Sequence, residues 1–274
     1  MPKAPMEPGV GVPEQPAKRQ APRAAVGKDA GRRTKAGKAG GPAGYLAADT
    51  GRQRLARALS GEWLGTCLLT ATVVGAGVGA ERLFPTQWGA QAALDIGAKV
   101  LVLTALIILL APVSGAHLNP VVTMAGQALG ARLPWRVALG YIAAQTLGAI
   151  CGALLANLMF GVPQGIATWQ RAGPVTVASE VVATLGLLLV IFGLVRARRS
   201  IMLIAPCVGV YVGVAALFAP SGAFINPAVT IGRVFASTMA GIAPSSAVIF
   251  VAAQMIGAAI SLAVVPLLFP RRRY

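Results

Sequence analysis

Charge is scarce in this chain: 12% of its 274 residues are charged, about half the share of a soluble domain. Acidic residues are scarcest, eight against twenty-four Lys and Arg. There is one histidine, His117, and three cysteines, Cys67, Cys151 and Cys207. The cysteines are odd in number, lack metal-ligand spacing and all fall inside apolar runs. They read as small core residues and say nothing of redox compartment. Nothing beside His117 could complete a metal site, and no nucleophile–base pair suggests an enzyme or a cofactor. No apolar stretch follows the basic start, which argues against a secretory signal peptide.

What is abundant is apolar, at 56% of residues. Positions 1–59 hold twelve Lys/Arg and four Asp/Glu; the remaining residues hold twelve and four again, mostly at the ends of apolar runs. The net charge of +16 therefore reflects membrane topology, not a nucleic-acid partner. Three domains are expected. Residues 1–59 form a basic cytoplasmic tail, disordered over 1–44, with a short basic surface helix or a solvated linker over 45–59. Residues 60–269 form a membrane domain, and 270–274 a basic cytoplasmic C-terminus. Apolar runs over 60–80, 94–112, 134–157, 175–195, 200–219 and 243–268 are each long enough to cross, or nearly cross, a bilayer. Two shorter segments, 117–130 and 224–238, cross about half of it. With both termini inside, twenty Lys/Arg lie on the inner side and four, Arg82, Lys99, Arg171 and Arg233, on the outer.

The chain repeats itself. Ser114-Gly-Ala-His-Leu-Asn-Pro-Val-Val-Thr123 returns as Ser221-Gly-Ala-Phe-Ile-Asn-Pro-Ala-Val-Thr230, and Ala143-Ala-Gln-Thr-Leu-Gly-Ala149 as Ala252-Ala-Gln-Met-Ile-Gly-Ala258. Glu62 with Thr66 returns as Glu180 with Thr184. Each half has three spans, an odd number, so the halves are inverted across the membrane, and such repeats place a site at their interface near the midplane. Small residues four apart, Gly140, Ala144, Gly148 and Gly152, then Ala253, Gly257 and Ser261, allow close helix approach.

Asn is a preferred N-cap and Pro is pre-organised for the first helical position, so Asn119-Pro120 and Asn226-Pro227 each start a helix. In inverted halves two short helices meet N-terminus to N-terminus near the bilayer centre. Each end carries roughly half a positive charge and repels cations. Each Asn amide has donors to offer the oxygen of a passing water or hydroxyl.

These residues make the chain resemble the aquaporin, or major intrinsic protein, family over roughly 60–269. The paired boxes are Asn119-Pro120-Val121 and Asn226-Pro227-Ala228; Glu62 to Thr66 matches the family's Glu-x-x-Gly-Thr opening, and Gln145 and Gln254 match its third and sixth spans. The resemblance implies an all-α integral membrane fold of six transmembrane helices and two re-entrant half-helices. It implies one pore per subunit, a homotetramer in the cell (inner) membrane, no cofactor, and passive flow of water or small neutral solutes. Glycerol-like polyols and undissociated metalloid acids are candidate solutes. Small anions are a second possibility; an alternating-access transporter using Glu62 or Glu180 for ion coupling is a third. In the family the matching glutamates brace the half-helix loops, and the position of His117 lines the inner half of the pore. A packing histidine is the other reading of His117.

The chain departs from the family after the second box, where Val229 replaces the usual Arg of the outer filter. Counting from the family's spacing assigns Ala223, Val214 and Lys99 to the same filter, which reads as wide and weakly polar. Lys99 either extends into the outer vestibule or snorkels to the outer interface, the preferred reading. Arg233, four residues after Val229, either leans back toward the filter or, as preferred, stabilises the C-terminal end of its half-helix.

Overall fold

The structure, a computed structural model, describes residues 51–130 and 133–270. The basic tail over 1–50, Arg132 and the cations Arg271, Arg272 and Arg273 lie outside the described residues. Among those described, six helices are long and apolar enough to cross a membrane. They are α1 (Gly51–Leu83), α2 (Trp88–Ser114), α4 (Trp135–Met159), α5 (Pro174–Arg196), α6 (Ile201–Phe218) and α8 (Pro244–Leu268). Two short helices, α3 (Pro120–Ala128) and α7 (Pro227–Gly232), interrupt the series. The nine residues of α3 span only about 14 Å. A 3₁₀ turn, Arg233–Phe235, extends α7. The chain is thus a multi-pass membrane protein.

Proline and glycine set several boundaries. Pro occupies the first turn of α3, α5, α7 and α8, where its missing N–H costs nothing. α2 stops at Gly115, whose φ of 90° turns the chain out of the helix. One expected boundary moves. Among the described residues α1 begins at Gly51, so positions 51–59 of the segment assigned to a surface helix or linker are the largely exposed first part of the first long helix. Composition changes at residue 60, but 52–59 are Arg, Gln, Leu and Ala, which carry a helix onward without a break.

The halves pack as an inverted pair. In the first, α1 lies against α4; in the second, α5 lies against α8. A Cβ on Gly148 or Gly152 would come within 2.2 Å of the Trp63 or Cys67 carbonyl oxygen of α1, and one on Gly257 within 2.5 Å of the Val181 oxygen of α5. These glycines let backbones touch where apolar burial supplies little drive inside lipid. Each short helix reaches across to the other half, α7 onto α4 and α3 onto α8, while α2 crosses α6. Large apolar side chains such as Leu101, Leu147 and Val248 are exposed on the outside, as a lipid-facing surface requires. Of the three cysteines only Cys67 is a core residue; Cys151 is exposed. An apolar run has no dry and wet face to betray which side points to lipid.

Candidate functional site

The two repeated loops are held by two buried glutamates. Glu62 Oε1 accepts hydrogen bonds from Ser114 Oγ (2.6 Å) and His117 N (3.0 Å). Its Oε2 accepts from Leu118 N and Gln145 Nε2, both at 2.7 Å. Glu180 repeats the pattern with Ser221 Oγ (2.6 Å), Phe224 N (2.8 Å), Ile225 N (2.9 Å) and Gln254 Nε2 (2.7 Å). Both carboxylates are fully buried, so these donors replace their hydration. They also hold backbone that would not stay put alone. Ala116 and Leu118 have φ of 50° and 52°, Ala223 and Ile225 have 51° and 44°, all left-handed and unfavourable for side-chain-bearing residues.

The loops deliver two asparagines to one place. Asn119 Oδ1 caps α3 by accepting from Val121 N at 3.0 Å; Asn226 Oδ1 caps α7 by accepting from Ala228 N at 3.0 Å. Asn119 Nδ2 donates to the Ile225 carbonyl at 2.9 Å, and Asn226 Nδ2 donates to the Leu118 carbonyl at 2.8 Å. Each amide thereby latches the opposite loop with one hydrogen and keeps a second for the cavity it lines. The other box residues do different work. Pro120, Val121, Pro227 and Ala228 do not line the cavity; Val121 and Ala228 are completely buried. The lining residues of these first turns are Val122 and Val229, each three after its Asn.

The cavity has a volume of about 950 Å³ and passes between the loops, from Arg198 and Arg199 at one end to Lys99 and Arg233 at the other. His117 lines it, with Nδ1 3.1 Å from Thr123 Oγ1 and its ring edge-on to Tyr141. Ala223 and Val229 line it, as the family spacing implied. Val214 does not: it lies on the outer surface of α6, half exposed, while Val208 and Val212 face inward. A two-residue miscount turns a helix position by about 200°, from one face to the other.

Of the outer cations, Lys99 departs from the preferred reading and Arg233 adds to it. Lys99 does not snorkel. Its side chain lines the cavity, 13% exposed, with Nζ 2.5 Å from Asp95 Oδ2 one turn earlier. With a carboxylate at hand, the ammonium has no need of the interface. Arg233 is the C-cap residue of α7, through its backbone N–H, and its guanidinium faces the cavity. Its Cζ lies 3.7 Å from the Phe224 ring centroid and its Nε donates to the Ala240 carbonyl at 2.5 Å. A third cation, Arg171, is taken up by structure: Nε donates to the Gly241 carbonyl at 2.7 Å and Nη2 to that of Met239. Burial pulls its pKa below the ordinary guanidinium value. Asp95 and Phe224 were not foreseen as part of the site, though the Asp95–Lys99 spacing was legible as a helical ion pair.

Comparison with known proteins agrees with this geometry. Over 210 residues, 76% of this chain and 88% of the other, it is 40% identical to the aquaglyceroporin AqpS of Rhizobium meliloti (strain 1021). It is 42% identical to the rice (Oryza sativa subsp. japonica) aquaporin NIP1-3 over 126 residues, 44% of each chain. The fold matches the X-ray structure of the aquaglyceroporin from Plasmodium falciparum with a TM-score of 0.65, at 22% identity, over 78% of this chain and 99% of that one. The family model for major intrinsic proteins matches residues 50–220 and 200–273. With the paired Asn-Pro loops, the inverted halves and a cavity between them, the chain belongs to the major intrinsic protein family.

Proposed function

We propose that the protein is a passive channel for water and small neutral solutes such as glycerol, with undissociated metalloid acids a further class to test. The observation that carries this reading is the cavity between the loops, apolar for most of its length and met midway by the amides of Asn119 and Asn226. An apolar wall does not hold water or a polyol, and the remaining amide hydrogens replace one hydrogen bond of a solute hydroxyl as it passes. The two amides also orient that oxygen as an acceptor from both, which breaks a proton-conducting file. Val229 and Ala223 leave the outer constriction wide enough for a solute larger than water.

The glutamates argue against ion-coupled transport. Each carboxylate of Glu62 and Glu180 already accepts four hydrogen bonds, and a proton or sodium ion would have to displace them. We further propose a homotetramer in the inner membrane, as the family resemblance implies, with both termini cytoplasmic, an orientation supported by the Lys/Arg asymmetry of the loops. Stopped-flow swelling of proteoliposomes in water, glycerol, urea and neutral metalloid acids tests the function. Glycerol flux above empty liposomes, linear in the gradient, is expected. Saturable uptake driven by an ion gradient would replace the channel with a transporter.

A further inference from the structure

The outer end of the cavity holds more positive charge than its neighbours neutralise. Arg233 is 7% exposed, yet among the described residues it spends one of five N–H donors, through Nε to Ala240. The flat face of the guanidinium is stacked on Phe224, which Phe250 holds edge-on at 5.3 Å between centroids. Its backbone is pinned as well, since the Arg233 carbonyl accepts from Ala236 N and Ile242 N, both at 3.2 Å. No described residue accepts from either Nη, and the residue lines the cavity. The result is a rigid fork of donors on the cavity wall, with its position already decided. Lys99, on another helix, lines the same space and gives Asp95 one of its three donors. Glu180, the nearest buried acid on the loop side, has both oxygens engaged by the Ser221 to Ile225 turn and Gln254.

We propose that this mouth is a binding site for a small planar oxyanion, of the carboxylate or nitrate class, held edge-on by the Arg233 Nη atoms with Lys99 Nζ as the second contact. A planar fork takes two coplanar oxygens in parallel bonds, which a compact ammonium or a spherical halide site does not select. The same charge turns cations away, so the fixed charge missing at Val229 is supplied one turn further along the same half-helix. A bound oxyanion sits across the route of neutral solutes and slows them.

The flux readout rests on the channel reading; the site does not. Glycerol flux into proteoliposomes is measured with sodium nitrate outside, against equal sodium chloride, a spherical anion of the same charge. Nitrate is expected to slow wild-type flux saturably. Arg233→Gln should raise the half-inhibiting concentration at least about tenfold, the equivalent of one good ionic contact. Lys99→Met should raise it too, and Asp95→Asn, which frees Lys99, should lower it roughly threefold. Nitrate acting no more strongly than chloride, or all variants matching wild type, overturns the proposal. Should Arg233→Gln fail to fold, the opposite shifts of Lys99→Met and Asp95→Asn decide, and shifts in one direction or none overturn it. Calorimetric titration of nitrate into detergent-solubilised protein reads the site without flux. Nitrate heat without glycerol flux would reject the channel and keep the site; flux without nitrate heat would do the reverse.

Discussion

The two halves of this molecule share a frame and differ in what they present to the cavity. Equivalent positions carry the same braces: Glu62 and Glu180, Ser114 and Ser221, Gln145 and Gln254, Thr123 and Thr230. The lining residues diverge. Where one loop has His117 beside Tyr141, the other has Phe224 beside Phe250. Seven residues after the asparagine, one half has Gly126 and the other Arg233. The residues that hold strained backbone are duplicated because both loops have the same problem to solve. The residues that meet solute are free to differ, so an inverted frame carries an asymmetric path, charged at the Arg233 end and lined by His117 at the other.

The comparison is broken most forcefully at the braces. Glu62→Gln and Glu180→Gln each put a donor where a backbone N–H needs an acceptor, and each should cost about 3–5 kcal/mol. Thermal unfolding in detergent, with glycerol flux alongside, measures both; a loss in one half only would show that the symmetric frame is not equally used. Next in size are the helix contacts. Gly148→Ala and Gly257→Ala push a methyl into a carbonyl of the neighbouring span and should each cost about 1–3 kcal/mol, Gly148 more because its approach is closer. Denaturant midpoints for the pair test that ranking, and equal midpoints would mean that the backbones simply move apart.

Val229→Arg sharpens the asymmetry. Added bulk and charge at the outer turn should lower the glycerol-to-water permeability ratio roughly tenfold, read in matched proteoliposomes. A ratio unchanged in assembled protein would remove Val229 from the constriction. Asn119→Asp and Asn226→Asp keep the cap acceptor but place negative charge where the amides meet. Each should raise proton and cation leak by a smaller factor, about threefold, since the Arg233 end still repels cations. Dye-reported proton flux that stays at the wild-type rate in both would deny that the asparagines exclude cations. The smallest effect is expected from removing residues 1–44, whose charge suits attraction to an anionic leaflet. Glycerol flux within about twofold of the full chain is the expected outcome, and its loss in well-inserted protein would give the tail a part in gating or assembly.

Several features could be read without coordinates because one residue type in one place has few physical uses. An Asn-Pro pair after a Gly turn starts a helix, and two of them in odd-numbered halves must face each other. A lone acid in an apolar run has to find donors, and Glu62 and Glu180 find them in the irregular backbone of the two repeated loops. Other features failed for equally plain reasons. Val214 and Val212 are the same residue two positions apart, and only the true register of α6 separates a lipid face from a cavity face. Cys151 and Cys67 sit in equally apolar surroundings by sequence. Lys99 was assigned to the interface because its length permits that, and Asp95 one turn away made the alternative cheaper.

Length, hydropathy, the position of charges and the repeated decapeptide by themselves determined that the chain crosses the membrane six times, in two inverted halves, with two half-helices starting at asparagines. These are properties of the chain's one-dimensional pattern, set by bilayer thickness and helix capping. The tertiary structure alone decided which faces of the spans meet the cavity, that each asparagine latches the opposite loop, and that Arg233 lies flat on Phe224 with its Nη donors free, Nε being given to Ala240. These outcomes depend on the rotation of each helix about its axis and on contacts between residues a hundred positions apart, and no local pattern carries that information.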